Sequence, residues 1–198
     1  MKINNGFTLI EIAIVFIIIG LVMGTVLKGT ELITNAKIKN IENNFSSISR
    51  AITLYREHYH QLPGDDDGAS RFKSGIDVGN GDGTIDGSFN STDNSHESRL
   101  LWLHLRYSKI VGKVSSDLIN YDDNQKQQPQ NAFGGLMGVS SDSNGLFVGF
   151  TNIPGNIAVI LESHSDDEQP NTGRIRTDLD YDGDNGTANV KHQIYFSF

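Results

Sequence analysis

Gly6-Phe7-Thr8-Leu9-Ile10-Glu11-Ile12-Ala13-Ile14-Val15-Phe16-Ile17-Ile18-Ile19-Gly20-Leu21-Val22-Met23-Gly24-Thr25-Val26-Leu27 is the stretch on which the rest of the chain depends. After Gly6 it runs for about 21 mostly apolar residues, enough for a helix to cross the hydrocarbon core of a bilayer. One charge, Glu11, interrupts it on about the first turn. A carboxylate in lipid costs about 3 kcal/mol, so Glu11 requires a partner or a place at the interface. A secretory signal peptide fits the pattern badly. Its basic n-region would be longer, and its small cleavage-site residue would follow the apolar run, whereas Gly6 precedes it.

Beyond Lys28 the pattern turns one-sided. Ile38, Ile41, Phe45, Ile48, Ile52, Tyr55 and Tyr59 recur at steps of three and four, which is one face of a helix. Lys39, Asn43, Ser46, Arg50, Thr53 and Glu57 occupy the opposite face. No proline occurs between Phe7 and Leu62, and Leu62-Pro63-Gly64 supplies the stop. A continuous helix over 7–60 would span about 80 Å. Gly20, Gly24 and Gly29 are its weak points, at about 1 kcal/mol each relative to Ala. A soluble domain can cover the second half of such a helix, while the uniformly apolar first half belongs in a membrane.

Gly6-Phe7-Thr8-Leu9-Ile10-Glu11, followed by the apolar run, resembles the processing site of type IV pilins and of the pseudopilins of type II secretion. The resemblance implies a leader of residues 1–6 and cleavage between Gly6 and Phe7 by a prepilin peptidase. It also implies methylation of the new Phe7 amine, and pairing of Glu11 with the Phe7 amine of a neighbouring subunit in a filament. The physics is compatible, because an ammonium on an adjacent chain neutralises a carboxylate that would otherwise be alone in an apolar bundle. The fold expected is α+β and pilin-like: a stem helix over 7–60, transmembrane over 7–27 and amphipathic beyond, packed on a small antiparallel-sheet head formed by 61–198. Leu62-Pro63-Gly64-Asp65, Trp102–Leu105, Asp166-Asp167 and Pro170–Gly173 look like features of a subset of bacterial pilin-like proteins. Lys2 on one side of the apolar run, against Lys28, Lys37 and Lys39 on the other, does not favour the orientation with the N-terminus inside. The processing motif does.

Within the head, Asp65 to Asn94 is rich in Gly, Asp, Asn and Ser and reads as a long loop held by something. Asn94 with Glu97 reads as a capping box that opens a helix bearing Leu100, Leu101, Trp102, His104, Leu105 and Ile110, with Gly112 at its end. Ser115–Asn131 is a polar connection. Phe133–Val139 and Leu146–Phe150 read as strands, with Asn144-Gly145 as the turn between them. Ile157–Glu162 reads as a short helix, and residue types favour a terminal strand over Val190–Phe198.

The chain of 198 residues has a formal charge of −8 and no cysteine. Loss of residues 1–6 removes Lys2 and makes the balance more acidic still. Such acidity argues against sequence-specific or general nucleic-acid binding, and no disulfide pins the loops. Asp178-Leu179-Asp180-Tyr181-Asp182-Gly183-Asp184 carries carboxylates at every second residue with a glycine after the third, the first half of a calcium loop. The twelfth position is Asn189 rather than Glu, so a solvated acidic turn stays open as the other reading. The family resemblance adds calcium, since major pseudopilins hold it in a loop near the C-terminus where other pilins use a disulfide. Asp166 and Asp167 could add ligands. A second stretch, Asp77–Asp86, is a weaker metal candidate, because Val78 and Phe89 would fall at the ends of a linear calcium loop and Asn-Gly and Asp-Gly are also ordinary turn pairs.

Enzyme motifs are absent. His96-Glu97 begins an H-E-x-x-H pattern, but Leu100 occupies the last position, and no P-loop, G-x-S-x-G or thiol nucleophile is present. His58 and His60 fit surface residues better than metal ligands. The expected function is therefore a structural subunit, pilin or pseudopilin. It would reside in the bacterial inner membrane before assembly and then enter a pilus or pseudopilus, in the periplasm or at the surface. Its partners would be like subunits, the prepilin peptidase and an inner-membrane assembly platform. The alternative is a monomeric membrane-anchored calcium-binding or adhesive protein facing the periplasm or exterior.

Overall fold

The computed structural model describes residues 8–110, 127–165, 173–177 and 190–198. One helix, α1, runs unbroken over Leu9–Tyr59, through Gly20, Gly24 and Gly29. Thr8 starts it. Its hydroxyl accepts the Glu11 N–H at 3.3 Å, and its own amide and hydroxyl both donate to Glu11 Oε2 at 2.7 Å. That reciprocal exchange is a capping box. Helix α1 is long and apolar enough to cross a membrane. His60, in the left-handed region at φ 59°, and the Leu62-Pro63-Gly64 turn end it.

Contacts divide the chain into two units, Met1–Lys39 and Asn40–Phe198. In the first, Leu9–Leu27 leaves its apolar side chains exposed, Phe16 at 69% and Leu27 at 73%. In the second, the remainder of α1 buries Ile41, Ile48, Ile52 and Tyr55 and exposes Asn43, Ser46, Arg50, Thr53 and Glu57, as the periodicity requires.

The same unit holds helix α2 (Glu97–Tyr107), strand β1 (Met137–Asp142), strand β2 (Gly145–Pro154), helix α3 (Gly155–Ser165), strand β3 (Ile175–Thr177) and strand β4 (Lys191–Ser197). A short 3₁₀ turn at Ala69–Arg71 interrupts the long loop before α2. The sheet is antiparallel throughout, in the order β1-β2-β4-β3. Alternation along the strands gives it two working faces. Phe150 and Phe196 meet at 5.4 Å, and Phe196 lies 5.1 Å from Phe45 of α1, so this face packs on the stem. On the other face Phe147 and Tyr195 pack against Phe89, at 6.1 and 5.5 Å. Arg176 of β3 reaches Asp142 at the end of β1, 2.8 Å away, and ties the two outer strands together. Burial alone would raise the Asp142 carboxyl; Arg176 and the Asn144 and Gly145 amides outweigh it and hold the group below the usual range.

Three boundaries differ from the sequence reading. Strand β1 begins at Met137, not Phe133, because Asn131–Gly134 closes a turn in which Gly134 adopts φ 76°. Helix α2 ends at Tyr107, well before Gly112, with Lys109 in the left-handed region. It also opens at Glu97 with His96 as the N-cap, so Asn94 and Glu97 make no capping box. The short helix expected at Ile157–Glu162 is α3.

Candidate functional site

Helix α2 positions the polar centre of the head. Glu97 and His104 are seven residues apart, hence on one face two turns apart, and both are buried. Together they hold the loop that follows α1. The Gly64 N–H donates to His104 Nδ1 at 3.0 Å, and His104 Nε2 donates to the Asp77 carbonyl at 2.8 Å. This fixes a neutral imidazole with its proton on Nε2. Burial lowers its pKa, against the Asp77 carbonyl and the Asp66 charge. Gly64 sits at φ 97°, and a Cβ there would lie 2.5 Å from the Glu97 carbonyl oxygen, so only glycine permits this approach.

Glu97 receives the other end of the loop. Its Oε1 accepts the Asn80 N–H at 2.9 Å and its Oε2 the Asp86 N–H at 3.0 Å. Asp65, just beyond Gly64, accepts the Asp82 and Gly83 N–H groups at 2.9 and 2.8 Å. Asp82 accepts both the amide and the hydroxyl of Thr84, at 2.9 and 2.7 Å. Oxygens of Asp65, Asp82 and Glu97 thereby lie within 4.8 Å of one another. Asp65 and Glu97 are buried and Asp82 is exposed. Among the described residues no Lys or Arg pairs with any of the three. Burial raises the Asp65 and Glu97 carboxyls above their ordinary values, opposed by the backbone N–H groups. The Thr84 bonds hold Asp82 below its ordinary value.

This arrangement could hold a divalent cation. Oxygens around one ion with metal–oxygen distances of about 2.3–2.6 Å lie up to about 5 Å apart, and each carboxylate oxygen retains a lone pair beyond the N–H it accepts. A cation would also offset the like charges gathered here. A cleft of about 380 Å³ is lined by Asp65, Gly81 and Gly83 from this loop and by Arg56 and Ser141, so it adjoins the cluster at Asp65.

The sequence points to only one member of the cluster, Asp82, inside the weaker candidate stretch Asp77–Asp86. Asp65 passed as a loop residue and Glu97 as a cap. The usable signal was the density of Asn-Gly and Asp-Gly pairs beside a buried helix start. Asp178, Asp180, Asp182 and Asp184, with Asp166 and Asp167, lie outside the described residues, as do Gly6 and Phe7. Glu11 is described, and its partner within the chain is Thr8. His58 and His60 are exposed.

Residues 1–27 match the family model described as the prokaryotic N-terminal methylation motif. The chain thus carries an N-terminal prepilin-type methylation motif, characteristic of type IV pilin and pseudopilin precursors. No curated protein and no solved structure matches the chain. A long apolar N-terminal helix packed against a small antiparallel sheet is consistent with a pilin-like fold.

Proposed function

We propose that this protein is a structural subunit of the type IV pilin or pseudopilin kind. The observation that carries the reading is the methylation motif over residues 1–27, continued without a break by a helix whose apolar side chains are exposed from Leu9 to Leu27. An apolar surface of that extent does not persist in water. The first half of α1 spans the inner membrane before assembly and packs among like helices afterwards, and the amphipathic second half is the stem of the head. A prepilin peptidase cuts between Gly6 and Phe7, the Phe7 amine is methylated, and an assembly platform draws the subunit into a homo- or hetero-polymer. The filament lies in the periplasm or at the surface, and the role is structural rather than catalytic. In the free subunit Glu11 is held by Thr8; in the filament it pairs with a neighbour's Phe7 amine. Calcium is the cation best suited to the acidic groups of the head, both the Asp65–Asp82–Glu97 cluster and the Asp178–Asp184 stretch, because hard carboxylate oxygens on loops match its flexible coordination.

Intact-mass spectrometry of the membrane-bound pool from a host with the peptidase tests the reading. The protein should begin at Phe7 and carry one added methyl group, and Gly6→Val should retain Met1. Wild-type protein that keeps Met1 in such a host refutes the proposal and leaves a membrane-anchored monomer, which needs no cut at Gly6.

A further inference from the structure

We propose that α2 carries a second, separate site, one that binds a small oxyanion through Arg99 and Trp102. Arg99 is 9% exposed. Its two terminal nitrogens donate to neutral oxygens, Gln128 Oε1 at 3.0 Å and Asn94 Oδ1 at 3.0 Å. Its Nε is buried and has no acceptor among the described residues. Among the described residues no carboxylate pairs with it, whereas Arg71 has Asp66 and Arg176 has Asp142. In a chain of net charge −8, Arg99 of α2 is buried and, among the described residues, faces only amide oxygens.

Trp102 lies three residues on, the spacing that puts two side chains side by side on a helix. It is fully buried, and its indole N–H also lacks an acceptor among the described residues. Two enclosed N–H donors on one helix face therefore lack the same thing, and one of them belongs to a full positive charge. A water molecule could meet the donors but would leave the charge buried and unbalanced, which is the expensive part. An oxyanion meets both. The planar guanidinium presents Nε and one terminal nitrogen as a fork that matches two oxygens of a carboxylate or phosphate, and the indole N–H adds a third donor. Gln128 is no free rotor, because its amide nitrogen is spent on the Phe89 carbonyl. Asn94 is exposed at the rim, so an anion enters by displacing its amide from Arg99.

Trp102 is the only tryptophan in the chain, so the site reports on itself. The test uses the full chain in detergent micelles at neutral pH without divalent cations. Sodium phosphate and, separately, sodium acetate are titrated against sodium chloride of equal ionic strength. The expected result is a higher melting midpoint and a changed Trp102 emission in at least one oxyanion, saturating in the millimolar range. A response to phosphate alone assigns a phosphate-like ligand, and a response to acetate assigns a carboxylate. Arg99→Gln should abolish the response, and Arg99→Lys should weaken it about tenfold or more, the worth of a charge-assisted fork. Identical behaviour in all three salts, or an unchanged response in Arg99→Gln, overturns the proposal. If Arg99→Gln does not fold, Trp102→Phe followed by circular dichroism decides. It keeps an aromatic ring while removing the indole N–H together with part of the ring volume, so an undiminished response there also overturns the site.

Discussion

His104 should make the head sensitive to mild acid, and the size of the effect follows from its two bonds. The Gly64 N–H needs the lone pair on Nδ1, and the Asp77 carbonyl needs the proton on Nε2. Protonation would place a second N–H against Gly64 and a charge in a fully buried position. The folded pKa is therefore below the unfolded one. Such a histidine contributes stability that is complete above the unfolded value of about 6.5 and is lost as pH falls through it. While the folded imidazole stays neutral, the loss is one proton's worth, about 1.4 kcal/mol per pH unit. Between pH 7.5 and 5.5 the head should lose about that much, a sizeable part of a typical domain stability of about 5–15 kcal/mol.

Asp65 and Glu97 act in the opposite direction. Their folded values are raised, so they bind protons more readily when folded and favour the native state as pH falls towards the carboxylate range. The charged groups that bear on His104 are Asp66, Asp77 and Arg71. Urea unfolding of the full chain in micelles, followed by Trp102 fluorescence at several pH values, measures the sum. His104→Gln isolates the histidine. It removes the titration and leaves one loop N–H without its acceptor, a cost of about 1–3 kcal/mol that does not vary with pH. The gap between wild type and variant should therefore narrow by about 1.4 kcal/mol from pH 7.5 to 5.5, with the remaining histidines cancelling. Parallel profiles over that range would refute the neutral, doubly bonded imidazole.

Two further outcomes bear on assembly and on the acidic centre. Glu11→Ala should insert into membranes as wild type does but yield little sheared filament, because a neighbour's amine is then left unpaired in a dry bundle at a cost of about 3–5 kcal/mol; wild-type filament yields would dismiss the pairing. The full chain should melt higher in millimolar calcium than in chelator, by up to about 2.7 kcal/mol at a hundredfold excess over Kd. Asp65→Asn with Glu97→Gln removes that gain if the ion sits in the cluster, Asp180→Ala with Asp182→Ala removes it if the ion sits in the C-terminal stretch, and equal melting in calcium and chelator removes the ion from both.

What could be read from the sequence was whatever is periodic and local. The stem shows itself because each turn of an amphipathic helix repeats the same choice, so Ile41, Ile48, Ile52 and Tyr55 announce one face without knowledge of what covers it. The capping box of Thr8 and Glu11 is equally local, but a carboxylate at the head of an apolar run reads first as a charge in lipid rather than as the third residue of a helix. The acidic centre could not be read in this way. Asp65, Asp82 and Glu97 come from a helix exit, a loop and a helix start, and only long-range bonds bring them together.

The same bonds answer how a head without cysteines fixes a loop of this length. Residues between Gly64 and Asp86 are held at both ends by one face of α2, with His104 taking the Gly64 N–H and the Asp77 carbonyl and Glu97 taking the Asn80 and Asp86 N–H groups. The bond from Gly64 is buried and the other three are part-buried, so lifting the loop from α2 would leave the buried His104 and Glu97 side chains without the partners that satisfy them. The arrangement places two titratable side chains where a covalent cross-link would be indifferent to pH. One of them must stay neutral, and the other is a buried carboxylate that a cation or a proton would relieve. The order of this loop, and with it the wall of the adjoining cleft, is therefore expected to respond to protons, and to a divalent cation if the cluster holds one.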